Sequence, residues 1–375
     1  MSFYLEVEIS KCPKVMLGYC TNVFPGDSFD SVVRNLEQFV RPLKQTLSFD
    51  TGIGIWLSAN ALLDADAARL KETLEECGVQ LMTCNGFPAV NFHAKQVRHD
   101  VYLPNWSMGA RLEYTTGLAE LCAAVTKRPS FGISTLPLGW NKHEFDNKDA
   151  AALLSTCFDS LEELEQKSGI CIHLDIEAEP GCRLQTSNDV SNFVNTAFGD
   201  DERVRRYLRI CHDTCHAAVM QESIETCLKH YEEAGLLIGK VQVSSAIQCF
   251  VNETNANDNY QGLAQFNEPK FLHQTTIQTD ETLHFFEHLD DALKARLNGL
   301  WRVHFHVPIH KSSLGMVQTT QQDLKHTIEI LKTYDIETWE VETYTWNEMP
   351  STIKQDELVE SMSKELHWAH DNIYS

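Results

Sequence analysis

The chain is short of positive charge: 31 lysines and arginines stand against 53 acids, a formal net charge of −22 over 375 residues. A field of that sign repels a phosphate backbone, so nucleic acid is not expected as a partner. The one dense basic cluster, Arg203, Arg205, Arg206 and Arg209, is mixed with Asp200, Asp201 and Glu202 and reads as a solvated helix face. Long apolar runs are also missing, and none approaches the ~18 residues a membrane span needs. The amino terminus, MSFYLEVEISKCPK, lacks the basic segment and apolar stretch of a secretory signal. These absences lead us to expect a soluble, cytoplasmic protein. The 12 cysteines include no CxxC pair. Cys77, Cys122, Cys157 and Cys227 sit in apolar patterns as small hydrophobes, whereas Cys211 and Cys215 flank candidate ligands. No GxGxxG fingerprint follows the first strand-like run, which weakens a dinucleotide-binding sheet.

What is present is an alternation of short strand-like runs with amphipathic helices. The runs begin with Met16-Leu17-Gly18-Tyr19-Cys20, Gly52-Ile53-Gly54-Ile55-Trp56-Leu57, Val79-Gln80-Leu81-Met82 and Phe131-Gly132-Ile133-Ser134. They continue through Ile170-Cys171-Ile172-His173-Leu174-Asp175-Ile176 and Tyr207-Leu208-Arg209-Ile210. Val241-Gln242-Val243 and Trp339-Glu340-Val341 complete the set. Between them, Leu63, Ala67, Leu70, Leu74 and Cys77, or Leu154, Phe158 and Leu161, or Leu324, Ile328 and Leu331, carry the 3.6-residue period. Eight such repeats predict parallel strands with right-handed crossovers, and hence an α/β fold, a (β/α)8 TIM barrel, as one domain over 1–375. Two segments exceed the usual connector. One runs from Asn85-Gly86-Phe87 to Met108. The other, 246–319 after the seventh strand, opens with a turn-rich stretch at 252–259. It is expected to hold a helix over 283–297 and a ninth strand, Val303-His304-Phe305-His306-Val307, in a hairpin over the barrel mouth. Long loops on that face of a barrel shape the pocket. We expect this insertion to act as a lid and supply part of the site; an oligomer contact is the alternative.

Polar residues at the C-terminal ends of barrel strands point into the site. Glu177 and Glu179 close the fifth run, Asp213 and His216 follow the sixth, Gln242 lies in the seventh and Glu342 follows the last. Each has a local reading, such as a helix cap for Asp213; the conjunction on one rim points to a divalent ion. Carboxylates with one or two imidazoles suit Mn2+ or Zn2+, with Mg2+ as the alternative. His304 and His306 alternate on one face and can reach one ion. His93 and Trp346 are candidates for holding a substrate; Trp301 and Trp140 read more simply as core.

These residues carry a resemblance. Cys211-His212-Asp213-Thr214-Cys215-His216 resembles the DTCH segment of the xylose isomerase-like and endonuclease IV-like TIM-barrel superfamily. Ile176-Glu177-Ala178-Glu179-Pro180-Gly181 is similar to its fifth-strand motif, and Val341-Glu342-Thr343 to its last-strand glutamate. Within it, the chain resembles the metabolite traffic protein EboE family over nearly its whole length. The stretches that match are Asn85-Gly86-Phe87-Pro88 with Phe92-His93, Val101-Tyr102-Leu103-Pro104-Asn105-Trp106, Glu177 through Cys182, and Val241-Gln242-Val243-Ser244-Ser245-Ala246. The resemblance implies Glu177, Asp213 and Glu342 as metal ligands and His216 as a ligand of metal or substrate. Gln242 stands where relatives have a histidine ligand, a departure that His304 or His306 would make good. A trinuclear nuclease array is not expected, since His93 is the only evident early histidine.

The expected function is a metal-dependent isomerase or epimerase acting on a sugar- or cyclitol-like secondary-metabolite precursor through an enediolate, with Glu177 and Glu342 moving the proton. A non-catalytic protein that binds or hands over a metabolite is the alternative, and a phosphodiesterase is the third reading. The partner is a small metabolite, with a homo-oligomer left open.

Overall fold

The computed structural model describes residues 15–375; the terminal stretch read for a secretory signal, and Cys12 with it, lies outside the described residues. Seven apolar runs form β1 (Met16–Cys20), β2 (Gly52–Trp56), β3 (Gln80–Asn85), β4 (Ser130–Thr135), β5 (Cys171–Glu177), β6 (Leu208–Asp213) and β7 (Ile238–Val243). An insertion then contributes β8 (Ile247–Val251), β9 (Thr275–Gln278), β10 (Leu283–Phe286), β11 (Gly299–Val303), β12 (Ser313–Leu314) and β13 (Val317–Thr319) before the last strand, β14 (Thr338–Val341). Strands β1 to β7 and β14 close into a parallel barrel in the order β1-β14-β7-β6-β5-β4-β3-β2. The expected (β/α)8 barrel with a long insertion after its seventh strand is therefore present. Its last seam pairs Trp339 with Val241 on one side and Met16 with Thr338 on the other.

The helices follow the apolar spacing. Ala67–Cys77 starts at Asp66, whose carboxylate accepts the Ala68 and Arg69 N–H groups, and stops at Gly78, whose φ of 70° suits only a residue without Cβ strain. It buries Leu70, Leu74 and Cys77 against the barrel, and Asn147–Ser168 buries Leu154, Phe158 and Leu161 in the same way. The Arg203 and Arg206 guanidinium groups pair with Asp201 and Glu165, so the basic cluster is matched by acids. No helix among the described residues is long and apolar enough to cross a membrane.

Glycines inside the strands make room for charge. A Cβ at Gly54 would lie 1.4 Å from a Glu340 oxygen, and Cβ atoms at Gly132 and Gly239 would lie 2.0 and 1.9 Å from Asp175 oxygens. Two buried carboxylates therefore fit within the barrel because three facing positions carry no side chain.

The insertion differs from the expected hairpin. It forms a six-stranded sheet in the order β10-β9-β11-β8-β13-β12, with helices at Ala256–Ala264 and Leu289–Ala295. The helix expected over 283–297 begins only at Leu289, because Leu283–Phe286 pairs antiparallel with β9 instead. The strand expected over 303–307 ends at Val303, where its partners β8 and β9 also run out at Ile247 and Thr275. Beyond that point the chain turns toward the barrel, tied by the His304 N–H to Gln274 O (2.8 Å) and the Val307 N–H to Ser245 O (2.9 Å). The long loop after β3 is held by Arg111, which is fully buried. Its guanidinium donates to the carbonyls of Pro104, Gly86 and Phe87.

Candidate metal centre

Three strands deliver carboxylates to one place. Glu177 ends β5, Asp213 ends β6, and Glu342 directly follows β14; one oxygen from each lies within 4.8 Å of the others, and all three side chains are buried. Asp213 does serve as a helix cap, its Oδ1 accepting from the His216 N–H (2.9 Å) and the Ser244 hydroxyl (2.8 Å). Its Oδ2 nevertheless has no hydrogen-bond partner, and neither does Glu177 Oε2. Glu342 Oε1 accepts from the side-chain amides of Asn22 (2.6 Å) and Asn85 (3.0 Å). From the insertion, His306 places its Nδ1 3.1 Å from the Glu342 carbonyl and its unpartnered Nε2 4.0 Å from Asp213 Oδ2.

Beside this set lies a second group. His216 Nε2 is 3.0 Å from Glu179 Oε2 and 3.1 Å from His304 Nε2. Glu179 Oε1 accepts from the Tyr102 hydroxyl (2.9 Å) and from Gln274 Nε2 (3.2 Å), and the Tyr344 hydroxyl is 3.3 Å from His304 Nε2.

Burial and mutual repulsion shape the titration of this cluster. Burial pushes Glu342 up to about 8, with Asp213 and Glu340 adding to the rise. Glu177 is raised well above the carboxylate range, first by burial and then by Asp213, with His216 opposing. Burial also opposes ionisation of Asp213, but His216, His306 and the hydrogen bonds to its Oδ1 outweigh it and hold its pKa below the usual value. His216 is raised to about 9 because Asp213, Glu179 and Glu177 overcome its burial, whereas burial lowers His306 to about 4.

Glu177, Glu179, His216, His304 and Glu342 line one side of a cavity with about 500 Å³ of empty space, counting its open mouth; Asp213 and His306 are not among its lining residues. Phe87, Phe92, Tyr102, Phe271 and Tyr344 line the rest, with Arg98 among them. Of the residues expected from sequence, Glu177, Asp213, His216, His304, His306 and Glu342 come together. Gln242 is buried nearby, its Oε1 accepting from the Cys211 thiol, and it is not in any of the groups of residues close enough to share an ion, which are made of His, Cys, Asp and Glu. His93 stands behind the lining, its Nε2 2.7 Å from the Asn22 carbonyl and its ring against Trp56 and Phe92. Trp346 is covered by Lys354 and does not line the cavity; the aromatic wall is made by phenylalanine and tyrosine instead. The Cys215 thiol lies within ligand range of His304 and His306, but burial raises its pKa and keeps it protonated. Asn22 and Asn85 were not anticipated, whereas Glu179 was read as the second acid closing the fifth run. The strand-end rule applied to amides as well as acids finds Asn85, which ends β3, and Asn22, just past β1.

The donor set fits a divalent cation. Three carboxylates crowd together, and two carboxylate oxygens and one imidazole nitrogen, all buried, lack partners. Such atoms are normally satisfied, and a cation held by the Glu177, Asp213 and Glu342 carboxylates would give those of Glu177 and Asp213 a partner.

The architecture is that of the xylose isomerase-like TIM barrels. A protein of that description from Mycobacterium smegmatis, solved in complex with magnesium, superposes with a TM-score of 0.51 over 96% of this chain and 96% of that one, at 10% identity. The IOLI protein, solved with a bound zinc atom, aligns over 96% of this chain and 98% of that one, with 13% identity and a TM-score of 0.49. A xylose isomerase domain protein from Alicyclobacillus acidocaldarius gives the same values. No family model and no curated protein sequence matches the chain. At these identities the likeness is one of fold.

Proposed function

We propose that the protein is a divalent-metal-dependent isomerase or epimerase acting on a small polyol, sugar or cyclitol-like metabolite. One observation carries this reading: Glu177, Asp213 and Glu342 each bring a buried carboxylate oxygen within 4.8 Å of the others, Glu177 and Asp213 each keep an oxygen without a partner, and Glu177 and Glu342 line a cavity. Glu177, Asp213, Glu342 and His306 would hold the ion, His306 taking the place that Gln242 leaves open. Bound there, the ion supplies Lewis-acid polarisation of a substrate carbonyl and its neighbouring hydroxyl, which acidifies the C–H between them.

The chain's own residues do the rest. Glu177 and Glu342 belong to strands separated by β6 and β7 around the ring, so they approach a bound substrate from different directions. One can take a proton from carbon and the other return it to the opposite face. Asn22 and Asn85 hold the Glu342 carboxylate in place through Oε1. The aromatic wall suits the C–H faces of a carbon skeleton. On this reading the insertion 246–319 closes the barrel mouth and excludes water, since its His304 and His306 meet Glu179, Asp213 and Glu342. The resemblance of the sequence to the metabolite traffic protein EboE family favours a secondary-metabolite precursor as substrate. The net charge of −22 argues against duplex nucleic acid in the same cavity.

The test is solvent exchange. Mn2+-loaded protein is incubated in D2O with a panel of ketoses, aldoses and inososes, and deuterium at the carbon beside the carbonyl is read by NMR. Incorporation is expected with at least one substrate and should fall by about 100-fold or more in Glu177→Gln and Glu342→Gln. No incorporation across the panel would remove the isomerase reading in favour of a metabolite carrier.

A further inference from the structure

Among the described residues, Arg98 is the only lysine or arginine that lines the cavity. His216, which also lines it, is raised to about 9, but it stands between Glu177 Oε1 (3.3 Å) and Glu179 Oε2 (3.0 Å), so its charge is matched. The half-buried Arg98 guanidinium is not matched. Its Nε donates to the Pro269 carbonyl at 3.1 Å, and no acid among the described residues forms an ion pair with it. Nearby Lys270, by contrast, reaches Glu348 at 2.7 Å. Arg98 also borders an outer groove with Glu268, Asp290 and Asp291. There Glu268 is tied to His273, and both aspartates to Lys294.

The backbone fixes where this guanidinium emerges. The Val97 and Arg98 N–H groups both donate to the Lys270 carbonyl, at 2.9 and 3.1 Å, so the long loop after β3 meets the insertion at this residue. Arg98 has a φ of 37°, in the left-handed region that a residue with a Cβ rarely adopts. Such strain persists only where the surroundings over-determine it, and it clusters at ligand clamps. The charges of the cavity then sort a ligand by its ends. Glu177, Glu179 and Glu342 line the other part of the wall, so an anionic group is repelled there and attracted to Arg98. The net charge of −22 opposes any anion at long range, so a preference for one has to come from a local contact.

We propose that Arg98 is the specificity-determining residue of this cavity and binds an oxyanion, a phosphate ester or a carboxylate, on the end of the substrate remote from the carboxylate cluster. With Nε committed to Pro269, the two terminal nitrogens remain as a planar fork, which matches two oxygens of such a group. The substrate is then a phosphorylated or acidic sugar or polyol, held with its charged end at Arg98 and its carbonyl end at the acids. The inference rests on the proposed function for what the far end of the cavity does. The contact at Arg98 itself needs no ion.

The experiment is calorimetric binding of matched probes to the full chain, with Mn2+ and again with chelator, at constant ionic strength. D-Fructose 6-phosphate is compared with D-fructose, D-galacturonate with D-galactose, and inorganic phosphate serves as the smallest probe. In the wild type at least one anionic probe is expected to bind about tenfold or more tightly than its neutral match. The pair that responds tells a phosphate ester from a carboxylate. Arg98→Gln should bring that ratio close to one while the neutral sugar binds as before. Arg98→Lys, which restores the charge without the fork, should recover part of it, and circular dichroism checks that both variants fold. Equal affinities within both pairs, with no binding of phosphate, overturn the proposal. So does a preference that survives Arg98→Gln, since the anion is then held elsewhere. Either result leaves the proposed function standing. An Arg98-dependent preference in protein that binds no Mn2+ keeps this inference and removes the metal-dependent reading instead.

Discussion

Two layers of the same barrel treat buried charge in opposite ways. Asp175 and Glu340 lie two residues below Glu177 and Glu342 on the same strands, and so face the same interior one layer down. In the lower layer each acid has a cationic or imidazole partner from the barrel itself: Lys240 Nζ reaches Glu340 Oε2 at 2.5 Å, and His173 Nδ1 reaches Asp175 Oδ1 at 2.7 Å. Glu340 keeps Lys240 charged although burial alone would lower its pKa. In the upper layer β7 offers the neutral Gln242 where the lower layer has Lys240, and three carboxylates crowd together with unpartnered oxygens. In both layers an acid keeps an oxygen without a partner, Asp175 Oδ2 and Glu340 Oε1 below, Glu177 Oε2 and Asp213 Oδ2 above. The layers differ in how the carboxylates are grouped: the lower pair stands apart, each on its own partner, whereas Glu177, Asp213 and Glu342 bring one oxygen each within 4.8 Å of the others. Burial alone therefore does not mark a functional acid; the crowding of three carboxylates does.

The sharpest way to break this contrast is to remove a partner from the lower layer. Lys240→Met leaves Glu340 buried without a counter-ion and is expected to cost about 3–5 kcal/mol in urea unfolding. The double variant Lys240→Met/Glu340→Met should recover most of that loss. A single-variant cost below about 1 kcal/mol would show that the lower layer does not depend on its pair.

The matching change above should behave differently. Glu177→Gln replaces a carboxyl whose charged form burial and Asp213 already disfavour, so the metal-free protein should be as stable as the wild type or more so. The wild type should gain about 2.7 kcal/mol from Mn2+ at 100 times its Kd, and the variant should lose that gain, read as the shift in thermal unfolding. Equal stabilisation of both proteins would place the ion elsewhere.

The third test concerns protons. Without an ion Glu342 titrates at about 8, raised by burial and by Asp213, so at lower pH it holds a proton that a ligand must give up. Raising the pH removes this competition. Affinity for Mn2+ should improve by up to about tenfold per pH unit from 6 to 8 and then flatten, with proton release seen by calorimetry in buffers of different ionisation enthalpy. A flat profile would mean that Glu342 does not ligate.

The upper layer was legible in the sequence because its acids break apolar runs at their ends, as Glu177, Asp213 and Glu342 do. The lower layer was hidden within those runs: Asp175 and Glu340 read as interruptions of strand pattern, and glycines 54, 132 and 239 gave no hint that they clear space for carboxylates. The alternation of His304 and His306 marked both as site residues, although the strand drawn through them stops at Val303 for want of partners. Gln242 shows the limit of position alone. It stands on the expected strand, but only three-dimensional contact shows its oxygen committed to Cys211. Glu179 was visible as an acid at the rim, but its partners were not: His216, Tyr102 and Gln274 come from three other parts of the chain.

The insertion leaves the barrel after β7 and ends at Thr319, just before the helix Gln321–Leu331 that leads to β14. Its two ends sit side by side, the Thr320 N–H donating to the Ala246 carbonyl at 2.9 Å, so the segment is an excursion from one point on the barrel rim. His304 and His306 travel with it. Binding at the centre and docking of the segment are then linked reactions: whatever free energy the segment lends to a cation, the cation returns to the docked segment in equal measure. Were the proposed ion bound there, its occupancy would set how tightly some seventy residues of sheet and helix are fastened to the barrel.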